Sequence, residues 1–430
     1  MAAIPLFEEF SGTASGQLIA DLAGIGGTGS GEMPLDVLHG ATLPGSPRRL
    51  SVYAASAGFE LVEELDHLAA RSIEPNVFFN PRFLAPAMPR LEDREVFLAV
   101  MRDENDHRSR LRFLLPYSVE RPGLGIGPAI LRAWSSPYGP LGTPLIDRDD
   151  PVGIVDDFMA MLTRPALGLP NVLVLPDMLL DGEAASIIRT AAMGRNLPVL
   201  TAATRERAFL KSDLDGETYL RNSLNSHHFR EYRRLWRRLA EKGTLEYQVA
   251  RHPDDIRRGC ESFLTLELMG WKGRERTALA SDRYQAAFVR EAVHRLSEQD
   301  MVRVHTLTLD GETIAALVVY VERGVAYTWK TAYDETLSAY SPGALLMIEA
   351  TKTHLDDPNI TITDSCAAPD HPQMDRLWSE RRTIGTLIVG LTPGADRLAR
   401  QTAAQLHLYT ETRNLARLVR KRMRGFIRRR

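Results

Sequence analysis

The chain has 430 residues, which is too long for one ordinary hydrophobic core and fits two domains with shorter flanking segments. Its 44% hydrophobic and 25% charged residues are typical of a globular protein and exclude a disordered or fibrous chain. The 53 Lys and Arg against 55 Asp and Glu give a formal charge of −2, so no bulk field points to nucleic acid as a partner. Two cysteines exclude a dense disulfide framework. We see no signal peptide and no apolar run long enough for a membrane span, and we therefore expect a cytoplasmic protein.

The first part of the chain predicts a leader followed by an α/β unit. Residues 1–50 are poor in aromatic residues and rich in Gly, Ala, Ser and Pro, which is typical of a flexible leader. From residue 51 onwards the pattern is globular, and residues 51–210 form the first predicted domain. Its predicted elements alternate between helix and strand, which indicates an α/β arrangement. In chain order they are the helix Phe59–Ala70, the strands Val96–Met101, Leu111–Val119 and Ile130–Ser135, the helix Asp156–Leu162, the strand Asn171–Leu175, the helix Gly182–Met193 and the strand Leu197–Ala202.

A basic helix opens the second predicted domain, residues 211–393. Phe229, Tyr232, Trp236 and Leu239 follow helical spacing and predict a face turned to the core, and Gly243 ends the helix. Arginines between residues 230 and 238 occupy another face. A solvated amphipathic helix is the ordinary interpretation of that face, and a phosphate contact from one or two arginines is the alternative.

The elements that follow repeat the order of the first domain. A strand at Leu245–Ala250 precedes helices at Asp255–Leu268 and Arg283–Leu296. The pair Asp310-Gly311 between two alternating strands is typical of a tight β-hairpin. The shared order predicts a tandem duplication of one fold.

A helix start in the second domain has the features of a ligand site. After the strand Val325–Thr331, Ser341 can cap a helix, Pro342 suits its first turn, and Gly343 lets a ligand approach the backbone. Free N–H groups at such a start favour a phosphate or a carbonyl oxygen. An ordinary helix cap remains the alternative.

The order of several motifs over about residues 220–391 resembles the acetyltransferase family associated with the cellulose-biosynthesis protein CelD. That family belongs to the GNAT superfamily and is close to the FemAB-like transferases. The motifs are the basic helix from His228 to Gly243, Phe263–Glu267 with Gly270-Trp271-Lys272, the hairpin Leu309–Ala316, Tyr333-Asp334 with Tyr340–Leu346, Asp364, and Trp378. The first domain resembles the degenerate partner domain of FemAB-like proteins through Asn80–Leu84.

The resemblance implies an α/β (α+β) fold of tandem GNAT-like domains, each a mixed, splayed sheet flanked by helices. It implies an acyltransferase that uses acyl-CoA, either acetyl-CoA or a longer form, as co-substrate and no metal. The donor would lie between two diverging strands, with Tyr340, Ser341, Gly343 and Ala344 at its phosphates. The usual glycine-rich loop of GNAT proteins is reduced here to one glycine, which departs from the family pattern.

The densest polar cluster, residues 364–372, supplies the candidate catalytic groups. Asp364 or His371 is predicted to take the proton of the acceptor amine, and Tyr333 or Tyr340 to protonate the departing thiolate. Cys366 could act as a nucleophile only if a neighbour lowers the pKa of its thiol, and a small buried thiol is the other interpretation. A loop histidine without a catalytic role is the alternative for His371.

Six further residues are predicted to bind the substrate. Trp271 and Lys272 follow a helix, and Trp271 either walls the acceptor pocket or anchors the core. Lys330 lies in an apolar strand and needs an anionic partner, which an acidic substrate or Asp364 would provide. The remaining candidates are Asp334, Asp370 and Arg381, the last beside Arg382 as a carboxylate or phosphate ligand or a solvated charge.

The last segment, residues 394–430, is predicted to be a basic amphipathic helix. Nine Lys or Arg and no acidic residue lie between Arg413 and Arg430, a pattern drawn to anionic lipid at the inner membrane face. Packing on the domain is the alternative.

The predicted function is transfer of an acyl group to a small-molecule or envelope-precursor amine by direct attack. The alternatives are an aminoacyl transferase that uses charged tRNA, and a catalytically silent protein that binds polysaccharide or envelope components. The sequence does not determine the oligomeric state.

Overall fold

The computed structural model describes residues 35–92, 94–105, 108–122, 127–368, 371–409 and 412. The N-terminal half contains the strands β1 (His39–Thr42), β2 (Arg48–Ala54), β3 (Phe97–Asn105), β4 (Arg108–Glu120), β5 (Ile130–Ala133), β6 (Leu145–Ile146), β7 (Val172–Leu179) and β8 (Val199–Leu210). Its helices are α1 (Val62–Arg71), α2 (Pro81–Leu91), α3 (Pro151–Leu162) and α4 (Glu183–Gly194).

The C-terminal half contains the strands β9 (Leu245–Ala250), β10 (Val302–Leu309), β11 (Glu312–Glu322), β12 (Val325–Tyr333), β13 (Ile362–Asp364) and β14 (Glu380–Gly390). Its helices are α5 (Gly216–Ser223), α6 (Ser226–Ala240), α7 (Pro253–Met269), α8 (Trp271–Arg274), α9 (Arg283–Ser297), α10 (Pro342–Asp356) and α11 (Met374–Leu377). Residues 396–409 are also helical.

The strands form one mixed sheet in which the order of the first half is repeated by the second. The path runs β1-β2-β3-β4-β5-β7-β14-β8-β13-β12-β11-β10-β9, and β6 pairs with β4. Each half has an antiparallel series, β2 to β5 and β9 to β12, followed by one parallel pair, β5 with β7 and β12 with β13. This repeat confirms the predicted tandem α/β fold.

The two halves exchange their last strands. β8 ends the first half but pairs with β13 of the second, whereas β14 ends the second half and pairs with β7 of the first. β8 and β14 also pair with each other along most of their length. The described residues from Val37 onwards accordingly form one compact unit.

Aromatic side chains join the halves in the core. Phe83 of α2 meets Phe288 of α9 with ring centroids 5.2 Å apart, and it lies 5.6 Å from Tyr320 of β11. Phe78 is 5.4 Å from Tyr327 of β12. Edge-to-face contacts of this kind add to the free energy gained by burying the rings.

Two sequence predictions need correction here. The predicted leader extends too far, because β1 and the start of β2 form a hairpin whose Ala41, Leu50 and Val52 are buried. Residues 1–34 lie outside the described residues. The predicted basic helix is α6, whose N-terminus is capped by Asn225 accepting the N–H of His228, and it ends at Ala240, before the predicted Gly243.

The Asp310-Gly311 hairpin is confirmed. Both residues have positive φ, 51° and 83°, which is the turn that fits the twist of paired strands. In the part of the chain that the structure describes, no helix is long and apolar enough to cross a bilayer.

Candidate active site

The cleft lies where β12 and β13 separate. The two strands pair only from Val325 with Ile362 to Tyr327 with Asp364. The hydroxyl of Thr328 then donates to the carbonyl oxygens of Asp364 and Ser365, at 3.2 and 3.0 Å, and closes the narrow end. Beyond this point the strands leave a cavity of about 620 Å³, a size typical of small-molecule sites.

Four segments bring predicted residues to the cleft. β12 supplies Lys330 and Tyr333, and the start of α10 supplies Ser341, Gly343 and Ala344. The segment after β13 supplies Cys366 and His371, and α8 supplies Lys272.

The start of α10 offers one free backbone donor. Ser341 has a φ of 51° and its side chain makes no capping hydrogen bond, contrary to the sequence prediction. The N–H of Ser341 donates to Ser338 O and that of Ala344 to Ser341 O. The N–H of Gly343 has no partner among the described residues, so it remains available to a ligand.

Gly343 also sets the width of the cleft. A Cβ at this position would lie 2.9 Å from Cδ1 of Tyr333, closer than side chains pack. The ring of Tyr333 therefore lies directly against the helix start. A larger residue at position 343 must displace this ring.

Cys366 occupies a strained position on the cleft wall. Its φ is 50°, an uncommon conformation for a non-glycine residue, and its N–H donates to Asp364 Oδ1 at 2.7 Å. Burial, and next the charge of Asp364, raise the pKa of the Cys366 thiol well above its ordinary value. The group is therefore a neutral thiol at physiological pH, and it is only partly buried because it lines the cleft.

His371 presents an imidazole whose Nδ1 accepts the N–H of Met374 at 3.3 Å. In the neutral imidazole this hydrogen bond places the ring proton on Nε2, which can donate it to a ligand. Asp370, which was predicted to bind the substrate, lies outside the described residues.

Asp364 does not reach the cleft, in contrast to its predicted role as a base. Its side chain is 1% exposed and forms an ion pair with Arg207 of β8, with Nη1 and Oδ2 3.1 Å apart. Arg207 also donates to Pro140 O at 2.9 Å. Both carboxylate oxygens are thus held by the protein, because Oδ1 accepts from Cys366.

The two lysines of the cleft differ in their partners. Lys272 Nζ is 2.6 Å from Glu267 Oε1, and Glu267 is buried with Oε2 accepting the N–H of Leu279. Lys330 has no ion pair in the part of the chain described. Burial and the charge of Lys272 lower the pKa of Lys330 to about 8.

The remaining predicted residues lie outside the cleft lining. Trp271 is half exposed and donates its N–H to Glu335, and Asp334 accepts from Thr336. The ring of Tyr340 lies beneath Arg238 and Lys242. Arg381 donates to the carbonyl oxygens of Asp375, Trp378 and Glu380, which explains its orientation without a ligand.

Sequence reasoning missed the contribution of the first half. Tyr138 lies on the loop after β5, its carbonyl oxygen accepts the indole N–H of Trp329 at 2.7 Å, and its ring covers Lys330. Arg207 neutralises Asp364, and Glu267 neutralises Lys272. Only a polar residue within an otherwise apolar strand or helix could have signalled the two ionic partners.

No metal centre is found in the described ranges, where no three His, Cys, Asp or Glu side chains come together as ligands. The predicted lipid-binding segment from Arg413 onwards lies outside those ranges. The expected absence of a metal and the expected binding of anionic lipid by the last segment both stay predictions.

Comparison with known proteins identifies the domain that holds the cleft. Residues 226–364 match the family model described as an acetyltransferase (GNAT) domain. This match confirms the predicted GNAT resemblance and supports an acyltransferase. None of the curated proteins searched matches this chain in sequence.

The solved structures to which this chain is similar are distant in sequence. FemX has 9% identity and a TM-score of 0.52, with 76% of this chain and 95% of FemX covered. The C-terminal domain (DUF2156) of a putative lysylphosphatidylglycerol synthetase from Agrobacterium fabrum has 14% identity and a TM-score of 0.48, with 81% and 96% covered. A tandem GNAT protein from the clavulanic acid biosynthesis pathway has 14% identity and a TM-score of 0.38, with 80% and 99% covered.

Proposed function

We propose that the chain is an N-acyltransferase that moves an acyl group from acyl-CoA to an amine by direct attack in the cleft between β12 and β13. The observation that carries the proposal is the free N–H of Gly343 at the wall of a cavity of about 620 Å³ inside the matched GNAT domain. A helix start with an unpaired N–H favours a phosphate or carbonyl oxygen of the donor.

Two side chains on the cleft wall have separate roles in acyl transfer, one as a base and one as an acid. The imidazole of His371 takes the proton of the attacking amine on Nδ1, once this nitrogen gives up its hydrogen bond from the Met374 N–H, and the hydroxyl of Tyr333 protonates the departing thiolate. Asp364 is replaced as the candidate base, because Arg207 and the Cys366 N–H occupy its oxygens. Direct attack requires no covalent intermediate, which fits a neutral thiol at Cys366.

The uncompensated charge of Lys330 favours an acceptor that carries an anionic group. The other ionic groups nearby are paired, Lys272 with Glu267 and Asp364 with Arg207. A carboxylate or phosphate on the acceptor would complete the pairing inside the cleft.

Calorimetric titration with acetyl-CoA and a longer acyl-CoA tests the proposal. We expect micromolar binding that Gly343→Trp abolishes, because the indole displaces Tyr333 and fills the cleft. Gly194→Trp is the matched control, since a Cβ at Gly194 meets no atom within 4 Å and this residue ends α4. If neither donor binds, or if Gly343→Trp binds as the wild type does, the proposed donor site is wrong.

A second candidate function has an observation of its own in the basic face of α6. Arg230, Arg233, Arg237 and Arg238 are exposed and form no ion pair with a described carboxylate. Arg238 contacts Tyr340, two residues before the helix start at the cleft. A phosphate backbone bound along this face would bring the end of a charged tRNA to the cleft.

The tRNA alternative predicts acyl transfer only from aminoacyl-tRNA. Arg237→Ala would then weaken tRNA binding and lower its salt dependence by about one phosphate contact. Arg257→Ala is the control, because Arg257 pairs with Asp254 on α7. Failure with both donor classes would favour the binding-protein alternative.

A further inference from the structure

Lys330 is enclosed by aromatic rings and not by carboxylates. Its Nζ lies 4.8 Å from the ring centroid of Tyr138 and 5.5 Å from that of Trp329. These rings come from the first half and from β12 itself. Cation–π contacts position the ammonium, and the neutral amine that forms when it loses a proton has no described hydrogen bond at Nζ.

The charged groups that face Lys330 favour its neutral form. Burial is the largest cause of its lowered pKa of about 8, and the ammonium of Lys272 on α8 is the next. Glu267 on α7 and Cys366 after β13 act in the opposite direction. Glu267 is already paired with Lys272, and the Cys366 thiol is neutral, so neither supplies a full counter-charge.

We propose that Lys330 Nζ is itself acylated by a donor bound in the cleft, which makes it a self-modification site of the enzyme. The inference rests on the proposed function, because it requires an acyl thioester in the cleft. Lys330 lines the same cavity as Gly343, which offers the free backbone N–H for the donor.

The reaction is balanced without a further reagent. The neutral amine attacks the thioester carbonyl, the Nζ–C amide bond forms, and the C–S bond breaks. The proton lost by Nζ goes to the departing thiolate, so the products are an acyl-lysine and the free thiol of CoA. The acyl-lysine removes the positive charge that an anionic acceptor would use.

The other lysines provide comparisons within one molecule. Lys272 and Lys352 form ion pairs with Glu267 and Glu349, at 2.6 and 3.0 Å, so each has a described anionic partner. Lys211 is exposed and reports the slow chemical acylation of an ordinary surface amine. Only Lys330 combines access to the cleft with the absence of a described ionic partner.

The test is peptide mass spectrometry of the full chain after incubation with acetyl-CoA. We expect acetylation of Lys330 to exceed that of Lys211 by at least ~10-fold, because a bound donor raises the effective concentration of the reacting groups. The initial rate should rise with pH through about 8, as the neutral amine is formed. Free CoA in excess should suppress the Lys330 adduct and leave Lys211 unchanged.

Two results would overturn the inference. The first is calorimetric binding of acetyl-CoA with Lys330 acetylated no faster than Lys211, which would leave the proposed function intact. The second is a Lys330 adduct that excess CoA does not suppress, since the acyl group would then come from solution. Absence of binding altogether is the separate failure of the proposed function. Gly343→Trp provides a further check, because it should lower the Lys330 adduct to the Lys211 level.

Discussion

Replacing Asp364 by alanine separates a structural role from a catalytic one. Asp364 and Arg207 are 1% and 2% exposed, and they join β13 of the second half to β8 of the first. The variant leaves a buried guanidinium that cannot lose its proton, with Pro140 O as its remaining described hydrogen-bond acceptor. We therefore expect the folded state of the variant to be less stable than that of the wild type.

The expected loss of stability is about 3 kcal/mol, at the lower end of the range for breaking a buried ion pair. The lower end applies because the nearby carboxylate of Asp177 also interacts with Arg207. Arg207→Met should cost less at neutral pH, since the carboxyl group left behind can take up a proton and keeps the Cys366 N–H. The double variant should be more stable than the sum of the single losses predicts.

Urea unfolding followed by tryptophan fluorescence measures these differences, because Trp378 and Trp329 are buried. The midpoints should fall in the order wild type, Arg207→Met, Asp364→Ala, with an unchanged slope. Residual acyl transfer by Asp364→Ala should follow the fraction that remains folded. A variant of wild-type stability that has lost transfer would refute this reasoning and restore Asp364 as the base.

Two pH-dependent predictions concern buried groups away from the cleft. Burial raises the pKa of Glu322 from 4.5 to about 7, although Asn80 donates a hydrogen bond to it. The free energy of unfolding of the wild type should therefore fall by about 3 kcal/mol relative to that of Glu322→Gln as pH rises from 4.5 to 7, with no further loss above this range. Thermal melts of both proteins across this range check the result, and parallel curves would contradict it. Burial lowers the pKa of His354 from 6.5 to about 4, and its Nε2 lies 3.4 Å from that of His305, so stability should fall as pH drops from 6.5 towards 4. Acid unfolding of His354→Leu should show a smaller decline, because burial also lowers the pKa of His305, and an unchanged acid transition would count against the prediction.

Local sequence features predicted the elements because their causes are local. The Asp310-Gly311 turn requires two residues with positive φ, which this pair adopts readily. Pro342 and the residues after it favour a helix wherever they lie, and α10 begins at this residue. The repeated order of elements therefore predicted the tandem fold.

Strand pairing and burial depend on distant residues and were not predictable in the same way. The sequence predicts that Asp364 lies in the cleft, because this residue ends a strand in a polar segment. Its actual partner, Arg207, lies 157 positions earlier in the chain. A similar failure applies to Arg381, whose guanidinium satisfies three carbonyl oxygens of its own surroundings.

The exchange of terminal strands explains why the first half matters to a cleft that the second half lines. β8 occupies the edge of β13 that would otherwise be open, and it carries the arginine that neutralises Asp364. Asp364 in turn holds the backbone of Cys366 on the cleft wall. The loop of Tyr138 holds Trp329 by its indole N–H and covers Lys330. The first half therefore positions cleft residues that belong to the second half, because it fixes their backbone and their electrostatic surroundings.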